Sequence, residues 1–121
     1  MGDRGQVKIV DTGIYLYTHW DAAELPWIVQ KALARKKRWR DPCYLARIIF
    51  CEMIKDDLDG GTGYGICSEK HGDVWRVVEV NCSQGIVRVI DLGEVILEMS
   101  FEQFIRMTEF EFDLLLALRG T

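Results

Sequence analysis

Apolar and polar positions alternate over residues 6–11 and 14–20, and Thr12-Gly13 lies between the two stretches. This predicts an opening β-hairpin with its turn at that pair. In the second strand Ile14, Leu16 and Thr18 face one way and Tyr15, Tyr17 and His19 the other, so partial cover is expected on both faces. The period then becomes helical. Leu25, Ile28, Val29, Ala32 and Leu33 form one stripe over residues 25–38, and Pro26 suits the first turn, where a missing amide proton costs nothing.

Asp41-Pro42 is an N-cap followed by a good first helical residue. It predicts a second helix over residues 42–57, paired with the first as a helical hairpin. Leu45, Ile48, Ile49, Phe50, Met53 and Ile54 reach well past one face. This helix is therefore expected to be the central, most buried one, with Arg47 inside it and paired to a carboxylate or backbone carbonyls.

After a glycine-rich stretch, residues 74–81, 86–91 and 95–99 alternate again. Their turns fall at Cys82-Ser83-Gln84-Gly85 and Leu92-Gly93, as in an antiparallel meander. Ser100 with Gln103, and Thr108 with Glu111, are capping-box pairs, so the closing helix is expected to break and restart near Thr108. Gly120 is placed as its C-terminal stop. The order ββ-αα-βββ-α describes a single-domain α+β fold, residues 1–121, around one antiparallel sheet.

The 121 residues are 49% hydrophobic and 28% charged, a composition that forms a core and argues against disorder. No apolar run reaches the ~20 residues needed to span a bilayer, and a signal-peptide core is missing, so a cytoplasmic protein with no membrane partner is expected. The formal charge of −4 disfavours general nucleic-acid binding. Its distribution says more. Lys31, Arg35, Lys36, Lys37, Arg38 and Arg40 crowd into ten residues, which is either a solvated helix end or a patch for an anion or a partner.

Cys43, Cys51, Cys67 and Cys82 include no Cys-x-x-Cys pair, which leaves no zinc spacing. Cys43 and Cys51 would lie about 12 Å apart along one helix, too far for a disulfide. Free, mostly buried thiols are expected, with no metal and no cofactor.

Three features could carry chemistry. His19-Trp20-Asp21 ends a strand, where an imidazole that titrates near neutrality could act as acid or base. A packed histidine with one bonded nitrogen is the plainer alternative. Asp59-Gly60-Gly61-Thr62-Gly63-Tyr64-Gly65 would let backbone amides approach an anion. It lacks the Lys-Ser or Lys-Thr of a P-loop and the acidic spacing of an EF-hand, so helix termination with a tight backbone approach is the plainer reading. Arg47, the third, is the guanidinium on the apolar helix. Trp20, Trp27 and Trp39 offer stacking or core surfaces.

Several segments taken together resemble a small family of uncharacterised proteins from bacteria, archaea and their viruses. They are Met1-Gly2-Asp3-Arg4-Gly5, Tyr15-Leu16-Tyr17-Thr18-His19-Trp20, Leu25-Pro26, Arg38-Trp39, Tyr44-Leu45-Ala46-Arg47-Ile48-Ile49-Phe50 and Gly61-Thr62-Gly63-Tyr64-Gly65-Ile66. The likeness covers about the first 66 residues, extends loosely through the meander to Ser100-Phe101-Glu102-Gln103-Phe104-Ile105, and departs at Ala22-Ala23, where a Gly-Ser-like pair is expected. It implies a cytoplasmic setting, with mobile elements among the sources. It assigns no catalytic residue.

The function expected from these features is a non-enzymatic binding module. Its ligand would be a small, nucleotide-like anion or a protein partner, and a homo-oligomer is among the states this admits. Arg4, Tyr17, His19, Trp20, Arg47, Thr62 and Tyr64 are the candidate ligand-binding residues. The rival is a small hydrolase or phosphodiesterase with His19 as acid or base and Arg47 stabilising an anionic transition state. The discriminating geometry is whether His19, Arg47 and the Thr62 loop share one cleft.

Overall fold

The computed structural model describes residues 2–119; the proposed stop at Gly120 lies outside them. Six strands, β1 (Gly5–Ile9), β2 (Ile14–Thr18), β3 (Tyr64–Cys67), β4 (Arg76–Asn81), β5 (Ile86–Asp91) and β6 (Glu94–Ser100), form one sheet in the order β3-β2-β1-β4-β5-β6. Four helices accompany them: α1 (Leu25–Ala34), α2 (Pro42–Ile54), α3 (Phe101–Ile105) and α4 (Glu109–Arg119). A short 3-10 turn, Ala22–Glu24, leads into α1. The α+β class stands, with the opening hairpin, the two-helix unit and the closing meander in the expected places.

The sheet is mixed rather than wholly antiparallel. Two features account for the difference. The end of the glycine-rich segment pairs with the free edge of β2 as β3, an extra strand that four residues without alternation did not signal. Residues 68–75 then cross back over β2 and β1, and β4 enters beside β1 in parallel, Val7 opposite Val78. A crossover connection returns the chain to the same end of the sheet, and that makes neighbouring strands parallel.

Gln6 explains how the crossover is held. Its side chain is fully buried, donating to the Glu69 carbonyl (3.2 Å) and accepting from the His71 amide (2.9 Å). A buried amide is tolerable only when its polar atoms are paired, and here two backbone groups of the loop do so.

The other face of the sheet carries the core. Val7, Ile9, Leu16, Val78, Val80, Val87, Val89 and Leu97 meet Leu25, Val29, Ala32 and Leu33 of α1, Leu45, Ile49 and Met53 of α2, and Phe101 and Phe104 of α3. The stripe predicted for α1 is the buried one, apart from Ile28, which is half-buried. The N-cap and capping boxes also form. Asp41 accepts from the Tyr44 amide at 3.2 Å, and Ser100 with Gln103 and Thr108 with Glu111 bond reciprocally, breaking the closing segment into α3 and α4. In α4 Phe112 turns inward while Phe110 and Leu114 stay exposed.

Three expectations about burial are corrected. First, α2 is not the most buried helix: it hides three residues, Leu45, Ile49 and Met53, against five in α1. Second, Arg47 is exposed. At about 100° per residue, a position two beyond Leu45 and two before Ile49 points away from a face made by those residues. Third, the thiols are not mostly buried: Cys43 and Cys51 are exposed, Cys67 is half-buried and Cys82 alone is buried. The first helix also ends at Ala34, short of Arg38. Trp39 turns back, its indole donating to the Leu33 carbonyl at 2.9 Å and packing edge-on against Phe101. Residues 35–40 become a link in which Lys36 and Arg38 take φ of 55° and 61°.

Candidate functional site

The structure divides the candidate residues between two places. Arg4, Tyr17, His19, Trp20 and Tyr64 gather around the ends of β2 and β3, with Thr62 exposed on the adjoining loop. Arg47 lies elsewhere, on the outer surface of α2.

In the first cluster Arg4 Nε donates to His19 Nδ1 at 3.2 Å, and the Tyr17 hydroxyl approaches the same nitrogen at 3.3 Å. Because arginine can only donate, Nδ1 is an acceptor and the neutral ring carries its proton on Nε2. Arg4 is in turn paired with Asp73 at 3.0 Å. The His19 amide donates to the Gly63 carbonyl at 2.8 Å, joining the strand end to the glycine loop. Gly63 has φ of 97°, and a Cβ there would fall 2.2 Å from the Trp20 indole. Glycine is therefore required twice over, by the backbone and by the ring above it. Trp20 also meets Tyr64 edge-on at 5.6 Å.

The Tyr64 hydroxyl donates to the Asp21 carboxylate. Burial first, and then the Asp21 contact, push its pKa up to about 12. The phenol is thus held neutral in the folded chain well above its ordinary value of about 10. The stability linked to it is fully present below pH 10 and lost as pH rises towards 12. The Cys82 thiol, pushed up to about 12 by burial and then by Asp11, acts in the same direction. We therefore expect alkaline unfolding titrations of Tyr64→Phe to lose stability less steeply from pH 10 to 12 than the parent. Identical slopes would count against the Tyr64–Asp21 bond.

The elements thus bring His19, Trp20 and the Thr62–Tyr64 loop side by side, through the β2–β3 pairing that sets Thr18 opposite Tyr64. Their polar atoms are turned on one another. Even Gly2 lies so close to His19 that a Cβ would fall 2.7 Å from its Nε2, so the amino-terminal segment covers that ring.

The second place is open. Arg35, Lys37, Arg38, Tyr44, Arg47, Ile48 and Cys51 line a cavity of about 500 Å³. Its construction follows from helix geometry. Tyr44, Arg47, Ile48 and Cys51 recur at i, i+3, i+4 and i+7 and so share one face of α2, while the link after α1 supplies the other wall. Left-handed backbone at Lys36 and Arg38 is costly for residues with a Cβ, and it brackets Lys37 at the rim.

Charge in this groove is unevenly neutralised. Glu52 takes Arg35 on one oxygen and Lys55 on the other. Burial would raise its pKa, but those two cations outweigh it and hold the carboxyl below its usual value. The Arg38 guanidinium carbon lies over the Tyr44 ring, 4.4 Å from its centroid, and Tyr44 is itself 51% exposed. Among the described residues neither Lys37 nor Arg47 has a carboxylate partner. The result is a cationic groove with an aromatic floor.

His19 does not line this groove, so the arrangement of His19 and Arg47 across one cleft, on which the hydrolase alternative depended, is not formed. Lys37, Arg38 and Tyr44 join the candidate residues here; the run of cations at 31–40 is the sequence signal for the first two, while Tyr44 lies outside it on α2. Trp27 and Trp39 pack edge-on against Phe112 and Phe101, and both lie half-buried against the core. Among the described residues there is no cluster of three or more His, Cys, Asp or Glu side chains able to hold a metal ion, and no helix is long and apolar enough to cross a membrane. Comparison with protein-family models, curated proteins and solved structures finds no match to this chain.

Proposed function

We propose that the protein is a binding module for a small, nucleotide-like anion, and that the ligand sits in the groove between α2 and the 35–40 link. The observation that carries this is the coincidence of unpaired cations with an exposed aromatic face in one cavity. Lys37, Arg38 and Arg47 supply positive charge for phosphate oxygens. Tyr44 already holds a planar guanidinium on its ring, the position that a planar base would share or replace. The volume lies in the range of small-molecule sites, roughly 300–1,000 Å³, and is far larger than an inorganic phosphate alone would fill. Strained backbone at Lys36 and Arg38 supports the same reading, because such strain collects at ligand-binding segments.

Calorimetric titration with nucleoside mono-, di- and triphosphates tests it. Binding should strengthen with phosphate number and weaken as salt rises. Arg47→Ala and Lys37→Ala should each weaken it at least tenfold, about 1.4 kcal/mol. Since Arg47 is exposed, its removal should move folding stability by no more than about 0.5 kcal/mol. His19→Ala should leave binding unchanged, because the ring lies outside the groove. Binding that survives Arg47→Ala, or no binding by any of the three nucleotides, overturns the proposal.

A further inference from the structure

The crossover between β3 and β4 brings a thiol and an imidazole together. Cys67 Sγ lies 3.3 Å from Nε2 of His71. Cys67 ends β3 opposite Tyr15, and the His71 ring packs against Tyr17 at a tilt of 32° with ring centroids 4.5 Å apart. The imidazole is not placed by its own contacts alone: the buried Gln6 amide holds the His71 backbone N–H at 2.9 Å. A nucleophile within hydrogen-bond reach of a base is the arrangement that activates a thiol, and the Gln6 bond fixes the main chain that carries this base.

The charged and titratable groups around the pair are few. Tyr15 and Tyr17 face it from β2, and Lys8 from β1 lies over the Tyr15 ring. Glu69, Lys70 and Asp73 belong to the crossover itself, and Asp73 is engaged by Arg4. His19, the other histidine of the chain, is bonded to Arg4 and Tyr17. Cys43 and Cys51 are exposed but have no imidazole beside them. Cys82 is buried and its thiol is held protonated by that burial and by Asp11.

We propose that Cys67 and His71 form a working thiol–imidazole pair that makes Cys67 the site on this chain at which small hydroperoxides oxidise sulfur. His71 accepts the thiol proton as Sγ attacks one peroxide oxygen. The S–O bond forms at the terminal oxygen, the O–O bond breaks, and the departing oxygen takes the proton from His71 to leave as water from hydrogen peroxide or as the alcohol from an organic hydroperoxide. Sulfur is oxidised by two electrons to the sulfenic acid, and the peroxide is reduced. His71 is exposed and Cys67 half-buried, so a reagent of this size reaches both. This site is independent of the cationic groove.

The experiment is sulfenic-acid trapping with dimedone on the full reduced chain under limiting hydrogen peroxide, read cysteine by cysteine by mass spectrometry. Cys67 should label at least about tenfold faster than Cys43 and Cys51, a threshold set below the ~10²–10⁴-fold typical of general-base assistance. His71→Ala should bring Cys67 down to their rate without changing theirs, and the urea midpoint reports whether the variant remains folded. His71→Asn, which keeps the backbone bond to Gln6 and a polar side chain without a base, should behave as His71→Ala. Equal labelling of Cys67 and Cys43, or an advantage that survives both substitutions, overturns the proposal. So does a Cys67 that outpaces the others with iodoacetamide but not with peroxide, because that is a reactive thiol without the assigned oxidant.

Discussion

Arg76→Ala should destabilise the protein by about 3–5 kcal/mol, the usual cost of removing one partner from a buried ion pair. Arg76 is 4% exposed and sits on the helix-covered face of β4, directly opposite Asp91 on β5. Its guanidinium grips that carboxylate with two bonds, Nε at 2.7 Å and Nη2 at 2.8 Å. Nη1 reaches the Ala23 carbonyl at 3.3 Å, and the group lies over Trp75 at 4.4 Å and Phe112 at 5.4 Å. One side chain therefore ties the meander, the turn before α1 and helix α4 together. Its removal strands the Asp91 carboxylate and empties the space beneath Phe112. Urea denaturation measures the loss. The double variant with Asp91→Ala should recover part of it, since no charge is then left unpaired. A loss under 1 kcal/mol would show that the pair is solvated.

Phe104→Ala should cost a similar amount, about 3–5 kcal/mol. The ring is completely buried on α3, which is only five residues long. So short a helix has little stability of its own; packing must hold it. Phe104 is one of its two buried residues, and its carbonyl accepts from Gln30 of α1 at 2.9 Å, with Met107 accepting from the same amide at 2.8 Å. The cavity left by alanine would loosen both the ring contacts and this cross-link. Hydrogen exchange should accordingly rise in α3 and at the start of α4 before it rises in β1 and β4. A global loss with no local change would contradict this placement.

Local chemistry was legible wherever a few neighbouring residues decide the outcome. The hairpin turn at Thr12-Gly13, the Asp41-Pro42 start of α2, the two capping boxes and the meander turns all depend on backbone preferences and side-chain caps within a few positions. The α1 stripe is readable because its five apolar residues fall on one face, and four of them are buried. Misreading α2 has an equally local cause. Its apolar residues wrap around the helix, so pattern alone leaves the buried side undecided, and nothing local marks Arg47 as outward.

The rest belongs to tertiary structure. That β4 lies parallel to β1 depends on where an eight-residue crossover lands, and no residue within β4 carries that information. That the aromatic and cationic groups at the end of β2 bond mainly to each other, while the groove opens on α2, depends on which faces the helices turn to the sheet. The run of cations at 31–40 announced a charged surface. Only the return of Trp39 to the Leu33 carbonyl and the pairing of α1 with α2 made that surface one wall of a cavity. Cys67 and His71 stand four positions apart in a stretch with no regular pattern. They meet because Gln6, some 65 positions away in sequence, bonds the loop from beneath. Composition and spacing determine which elements can form; long-range pairing decides which side chains share a surface, because each such contact joins residues that have no local relation along the chain.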